Sequence, residues 1–226
     1  MYGTGNVLHS TAWSFRRMAQ LSPMHGVLRK LRRRGIPLGQ MDALEAFGGD
    51  GSRHTLDYCK SVRSLEVWEV DPLNAVSLKS NLPGASVSIV DSFREVKSTE
   101  LTFDLVVVDC PASQFGPDYR YCEHFDFFNA DLFRVLRESA VLILNVLPEQ
   151  EGSIESRMKR LPPKHLSRRG NFYGTNRPAT LSVDEMVRAY RSILNANGLE
   201  LEWHFSQLRT IRSQVHYLVL KVRRNS

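Results

Sequence analysis

The 226-residue chain carries 30 Lys or Arg against 24 Asp or Glu, with 42% hydrophobic and 24% charged residues. That balance supplies enough apolar surface for one sizeable core and excludes the composition of disordered chains. The apolar runs at 105–108 and 140–144 are far shorter than the roughly 20 residues that span a bilayer, and Cys59, Cys110 and Cys122 lack the spacing of a zinc ribbon or disulfide framework.

No apolar export segment heads the chain, so reduced thiols in a cytoplasmic protein with no membrane partner are expected. The charge is strongly partitioned. Residues 1–41 hold seven Lys or Arg and no acid, and residues 157–177 hold seven more and none; the other 16 cations face all 24 acids, a balance of −8. Two basic appendages are therefore expected: a partly helical N-terminal extension over 1–41, and a basic loop within 149–181 of a domain covering 42–226.

Short apolar runs alternate with amphipathic ones from Asp42 to Pro148, as in βα units that build a parallel sheet. A first strand is predicted at 43–47, running into Gly48-Gly49-Asp50-Gly51, with a helical segment at 53–60 after it. A second strand at 64–70 ends near Asp71-Pro72, and Ala75, Leu78 and Leu82 recur at helical spacing beyond it. Strands at 86–90, 103–108 and 140–146 follow, the last two separated by an apolar helix face of Phe125, Phe128, Leu132, Val135 and Leu136. A helix through Val183, Met186, Val187, Tyr190 and Leu194 ends at the Asn197-Gly198 cap.

Two further strands, 199–205 and 215–222, lie too close in sequence for a parallel crossover and must form an antiparallel hairpin. The expected architecture is α/β: a doubly wound, mostly parallel sheet of about seven strands with a C-terminal antiparallel hairpin and helices on both faces.

Ligands of such sheets bind outside the carboxyl ends of the strands. Several of those ends are acidic or glycine-rich here: Glu45 with Gly48, Gly49, Asp50, Gly51 and Ser52; then Glu69 and Asp71; then Asp91 and Ser92; then Asp109. A dinucleotide reading fails at two points. His54 occupies the third glycine position of G-x-G-x-x-G, and Asp50 sets a negative charge where a pyrophosphate would lie.

In order and spacing, these residues resemble the class I Rossmann-like S-adenosylmethionine-dependent methyltransferases, and within them the spermidine-synthase-like branch. The resemblance covers roughly 42–146. It implies S-adenosyl-L-methionine as cofactor, with Gly48, Gly49 and Gly51 beneath its methionine and ribose portion and Glu45 and Asp50 near its ammonium group. Glu69 would accept from both ribose hydroxyls, with Asp71 beside it. Asp91 would meet the adenine amino group, Ser92 the ring edge, and Asp109 the transferred group.

Departures bear on the acceptor. The chain lacks the β-rich N-terminal domain of spermidine synthases, and its basic N-terminus disfavours a polycationic substrate. The segment Asp109-Cys110-Pro111-Ala112 matches neither the amino-methylating nor the cytosine-C5 signature. Asp109 is the first candidate for base or orienter, followed by His124, Tyr119 and Tyr121. Arg168, Arg169, Phe172 and Tyr173, in the basic loop, suit an anionic acceptor such as nucleic acid. Alternatives are a non-catalytic subunit that binds nucleoside and nucleic acid, and an aminopropyltransferase-like enzyme.

Overall fold

The computed structural model describes residues 22–110, 123–148, 162–209 and 215–225. Tyr119, Tyr121, Cys122 and the basic positions within 1–21 and 149–161 lie outside the described residues. The strands are β1 (Asp42–Glu45), β2 (Ser64–Glu69), β3 (Ser86–Ile89), β4 (Phe103–Val108), β5 (Leu136–Val146), β6 (Leu199–Leu208) and β7 (His216–Arg224). They form one seven-stranded sheet in the order β3-β2-β1-β4-β5-β7-β6. All pairings are parallel except β5 with β7 and β6 with β7, so β7 alone runs backwards. The expected parallel sheet and terminal hairpin are both present.

Strands buried on both faces need apolar side chains at every position, and β4 and β5 supply them. Val106, Val108, Leu142 and Leu144 point into one core, while Leu105, Val107, Val141 and Ile143 point into the other. The first core is completed by α4 (Ser92–Ser98), α5 (Ala130–Arg134), α6 (Pro163–Tyr173) and α7 (Val183–Ala196), and the second by α1 (Pro23–Arg33), α2 (Thr55–Tyr58) and α3 (Ala75–Asn81). α7 starts on a reciprocal Ser182/Glu185 capping box, and Gly198 beyond its end takes φ +72°. Among the described residues no helix is long and apolar enough to cross a membrane.

Three expectations need correction. The N-terminal segment is not an appendage from residue 22 onward: Met24, Val27, Leu28 and Leu31 of α1 are fully buried against the sheet. The described part of the basic loop contains α6, whose buried positions are His165, Arg169 and Tyr173. The helix expected across 125–136 is confined to Ala130–Arg134, because Asn129 caps it through Asp131 N and Leu136 already begins β5.

Candidate functional site

In sheet order, β3, β2, β1 and β4 end at or just before Asp91, Glu69, Glu45 and Asp109. Four neighbouring parallel strands therefore bring four carboxylates to one edge, beside the glycine turn. Glu69 ties that turn down: its two oxygens accept from Gly49 N and Asp71 N, each at 2.7 Å. Gly48 N donates to Trp68 O, and a Cβ on Gly48 would stand 2.4 Å from Val67 Cγ1, so only glycine fits. Gly49 and Gly51 take φ of +56° and +71°, the left-handed region glycine tolerates. Around Gly49 there is open space where a side chain would be.

Asp50 folds onto its own turn, accepting from Ser52 N and Oγ, and these bonds hold its carboxyl below the usual range. Asp71 caps the short turn after it through Leu73 N. Asp91 caps α4 through Phe93 N, and the Ser92 hydroxyl donates to Ala46 O, binding the start of α4 to the glycine turn. Phe47, Phe93 and Phe127 pack their rings together nearby, with centroids 5.3–5.8 Å apart.

Beneath the turn lies a chain of alternating charges. Glu45 is fully buried, and its Oε2 receives Tyr58 OH at 2.8 Å, His54 Nε2 at 3.1 Å and Thr55 Oγ1 at 3.2 Å. His54 Nδ1 reaches Asp109 Oδ2 at 2.9 Å, and Arg209 clasps both Asp109 oxygens. With a carboxylate on each ring nitrogen, both nitrogens must donate, which makes His54 an imidazolium. Burial opposes that charge, but Asp109 and Glu45 outweigh it and raise the group to about 10. Burial likewise pushes Asp109 up, and His54 and Arg209 overcome it, leaving its carboxyl at about 2.

Of the two roles expected for Asp109, base or orienter, a carboxylate clamped between two cations suits the second, being a poor proton acceptor. His124, the next candidate, lies away from this edge of charges in an aromatic surrounding. It is fully buried, bonded to the Tyr190 hydroxyl and ringed by Phe125, Phe128 and Phe172, and burial depresses it to about 4. Its ring is part of the core.

The four basic-loop candidates are spread differently from expectation. Arg169 is fully buried and bonded to Glu123 Oε2, Leu147 O and Pro178 O, while His165 takes the other Glu123 oxygen at 2.7 Å. Phe172 stacks on Phe125 at 4.5 Å, and Tyr173 bonds Tyr190, so both rings belong to the aromatic box around His124. Arg168 lies nearer the surface and pairs with Asp126 at 2.7 Å.

Sequence reasoning missed His54 as a partner, with Tyr58, Arg209, Glu123 and His165. The pair His54 and Tyr58 carried a signal, since i and i+4 share a helix face pointing back at Glu45. Arg209 is 100 residues from Asp109 and carried none.

No family model matches the sequence, and no curated protein matches it. Solved structures resemble it at low identity. A magnesium protoporphyrin IX methyltransferase from Synechocystis, with bound SAH, superposes with a TM-score of 0.56 at 12% identity, over 100% of this chain and 90% of that one. An N-methyltransferase from Bradyrhizobium japonicum gives 0.55 at 13% identity, over 90% and 98%. The 1,6-didemethyltoxoflavin-N1-methyltransferase of Burkholderia thailandensis, solved with S-adenosylhomocysteine, gives 0.54 at 13% identity, over 97% and 85%. The likeness establishes a Rossmann-like fold shared with methyltransferases.

Proposed function

We propose that the protein is a cytoplasmic class I methyltransferase that binds S-adenosyl-L-methionine at the 45–52 turn and transfers its methyl group to an anionic acceptor. The observation that carries this reading is the row of carboxylates, Asp91, Glu69, Glu45 and Asp109, at the ends of four adjacent strands beside an open glycine turn. A dinucleotide brings phosphates, which Glu69 and Asp50 at the turn would repel, His54 and Arg209 already offsetting Glu45 and Asp109. A nucleoside bearing ammonium and sulfonium charges is attracted.

The residues present fit that group. Glu45 Oε1 is a buried acceptor without a partner among the described residues. Each Glu69 oxygen accepts one backbone N–H and keeps a second lone pair for a ribose hydroxyl. When bound, the cofactor supplies an electrophilic methyl carbon on sulfur. The chain's own work is then alignment: Glu69 fixes the turn and the ribose together, and the Asp109–Arg209 pair fixes the far side of the edge. The loop composition supports the spermidine-synthase-like branch within this class.

Equilibrium dialysis with methyl-labelled S-adenosylmethionine tests the reading. Saturable binding is expected, weakened at least tenfold in Glu69→Ala, with NAD failing to compete. Absence of binding, or displacement by NAD, would overturn it; tighter binding of decarboxylated S-adenosylmethionine would reassign the chemistry to aminopropyl transfer.

A further inference from the structure

The cations of α1 are treated differently from most others in the fold. Arg63, Arg137, Arg168, Arg169, Arg209 and Arg223 each meet a carboxylate. Arg29, Arg32, Arg33 and Arg34 are exposed and Lys30 is half-buried, yet among the described residues none of these five has a carboxylate within ion-pair distance. Their partners are neutral. Arg32 donates to the Ser61 hydroxyl at 3.0 Å. Lys30 lies 5.2 Å from the Phe205 ring, and Arg34 lies 5.2 Å from Trp203 and 4.8 Å from Phe205.

Trp203 and Phe205 are half-buried on edge strand β6 and stack on each other at 6.1 Å with 16° between planes. A ring face holds a cation in place without cancelling its charge, whereas a carboxylate would do both. The result, among the described residues, is a positive surface without carboxylate partners, held in place at Lys30, Arg32 and Arg34, running from β6 over the crest of α1 to Ser61 and the exposed Lys60.

This surface is set to one side of the strand ends that carry Glu45 and Asp109. Through the register, Trp203 stands level with Ala43 at the start of β1 and Phe205 level with Glu45 at its end, but β6 is four strand spacings, about 19 Å, from β1, so the separation is lateral. It is a second, separate face.

We propose that the α1–β6 face docks the phosphate backbone of single-stranded nucleic acid. Four of the five cations at 29–34 are arginines, whose forked donors match phosphate oxygens. A membrane surface fits poorly, because the apolar stripe a surface helix would insert is already committed to the core. A flat helix crest beside half-buried rings suits a strand with accessible bases better than a duplex, which needs an element that enters a groove.

The test is fluorescence anisotropy of the full chain with labelled 20-nucleotide single strands, RNA and DNA, between 50 and 200 mM salt. Wild type is expected to bind with a log–log salt slope that becomes shallower by about 2 in the triple variant Arg29→Gln, Arg33→Gln, Arg34→Gln, since each lost single-strand contact removes roughly 0.7. Affinity at 50 mM salt should drop at least tenfold. An equal charge change elsewhere, Lys79→Gln, Arg188→Gln, Arg191→Gln, should leave slope and affinity near wild type. Should Arg34→Gln disturb folding, the exposed pair Arg29→Gln, Arg33→Gln gives the same readout with a slope change of about 1.4.

Equal binding by the α1 and control variants would overturn the proposal. So would preference for duplex, or binding to vesicles of one-quarter phosphatidylserine without binding to either single strand. Neither measurement uses S-adenosylmethionine, so failure here and failure of the cofactor reading are separate results.

Discussion

His54 Nδ1 meets Asp109 Oδ2 at 2.9 Å, joining the segment after β1 to the end of β4 through an ion pair between a buried ring and a half-buried carboxylate. Glu45 holds the other ring nitrogen, and the folded protein keeps His54 charged up to about pH 10, against an ordinary value near 6.5. A group raised on folding contributes fully below its unfolded value and loses that contribution as pH rises through the folded one. Thermal midpoints should therefore decline between pH 7 and 10 in wild type, and much less in His54→Gln. Parallel pH profiles for the two proteins would refute the assignment of an imidazolium.

Substituting His54 by Ala leaves the buried Glu45 without its cation and Asp109 with Arg209 alone. A loss of about 3–5 kcal/mol is expected, the range for breaking a buried charge pair from one side. Chemical denaturation measures it. A cost under about 1 kcal/mol would mean that water or a neighbour replaces the imidazolium.

The parallel sheet and its terminal hairpin were legible because the chemistry of a two-sided sheet leaves little choice: 103–108 and 140–146 are apolar at nearly every position, and the short link before 215 forbids a crossover. Helix α6 was illegible for the opposite reason. Its buried stripe is His165, Arg169 and Tyr173, residues that read as a solvated basic loop, and only the Glu123 carboxylate arriving from another segment makes their burial tolerable. In α1 the apolar stripe Met24, Val27, Leu28, Leu31 had helical spacing all along, masked by the five cations beside it. The acidic strand ends were readable one by one; the clamp on Asp109, which lowers its basicity, came from Arg209 and was not.

Glu123 and Arg169 test how far that buried cluster depends on balance. Burial opposes ionisation of Glu123, but Arg169 and His165 hold its carboxyl below the usual range. Arg169→Met should cost about 3–5 kcal/mol, and the double variant Arg169→Met, Glu123→Leu should recover much of it, because the lone buried anion is removed. Urea unfolding of the single and double variants decides this. If the double variant is no more stable than the single, the cost came from lost packing or from the bonds to Leu147 O and Pro178 O.

Gly48 and Gly49 are adjacent but should fail differently when replaced by Ala. At Gly48 the new methyl would meet Val67 Cγ1 at 2.4 Å in a fully buried, stiff side chain, an overpacking cost of about 1–3 kcal/mol. At Gly49 nothing is in the way, and the cost is about 1 kcal/mol for a left-handed φ. Val67→Ala should rescue the stability of Gly48→Ala and do nothing for Gly49→Ala. Conversely, Gly49→Ala should weaken S-adenosylmethionine binding more than its small stability loss implies, since its methyl projects into the open space above the turn. Equal effects of the two substitutions on both stability and binding would contradict this division.

His124 sets the acid limit. Its folded value of about 4 lies below the unfolded value near 6.5, so the unfolded chain takes up a proton that the folded one refuses, and stability must fall as pH drops from about 6.5 towards 4. The carboxylates titrate over part of the same range, which makes the single-protein profile ambiguous and the difference profile decisive. In His124→Gln, which retains a polar group for the Tyr190 hydroxyl, the decline between pH 6.5 and 5 should be shallower than in wild type by several degrees of melting temperature. If the two curves run parallel, His124 takes up a proton at its ordinary pH in the folded protein, and the aromatic box around it is open to water.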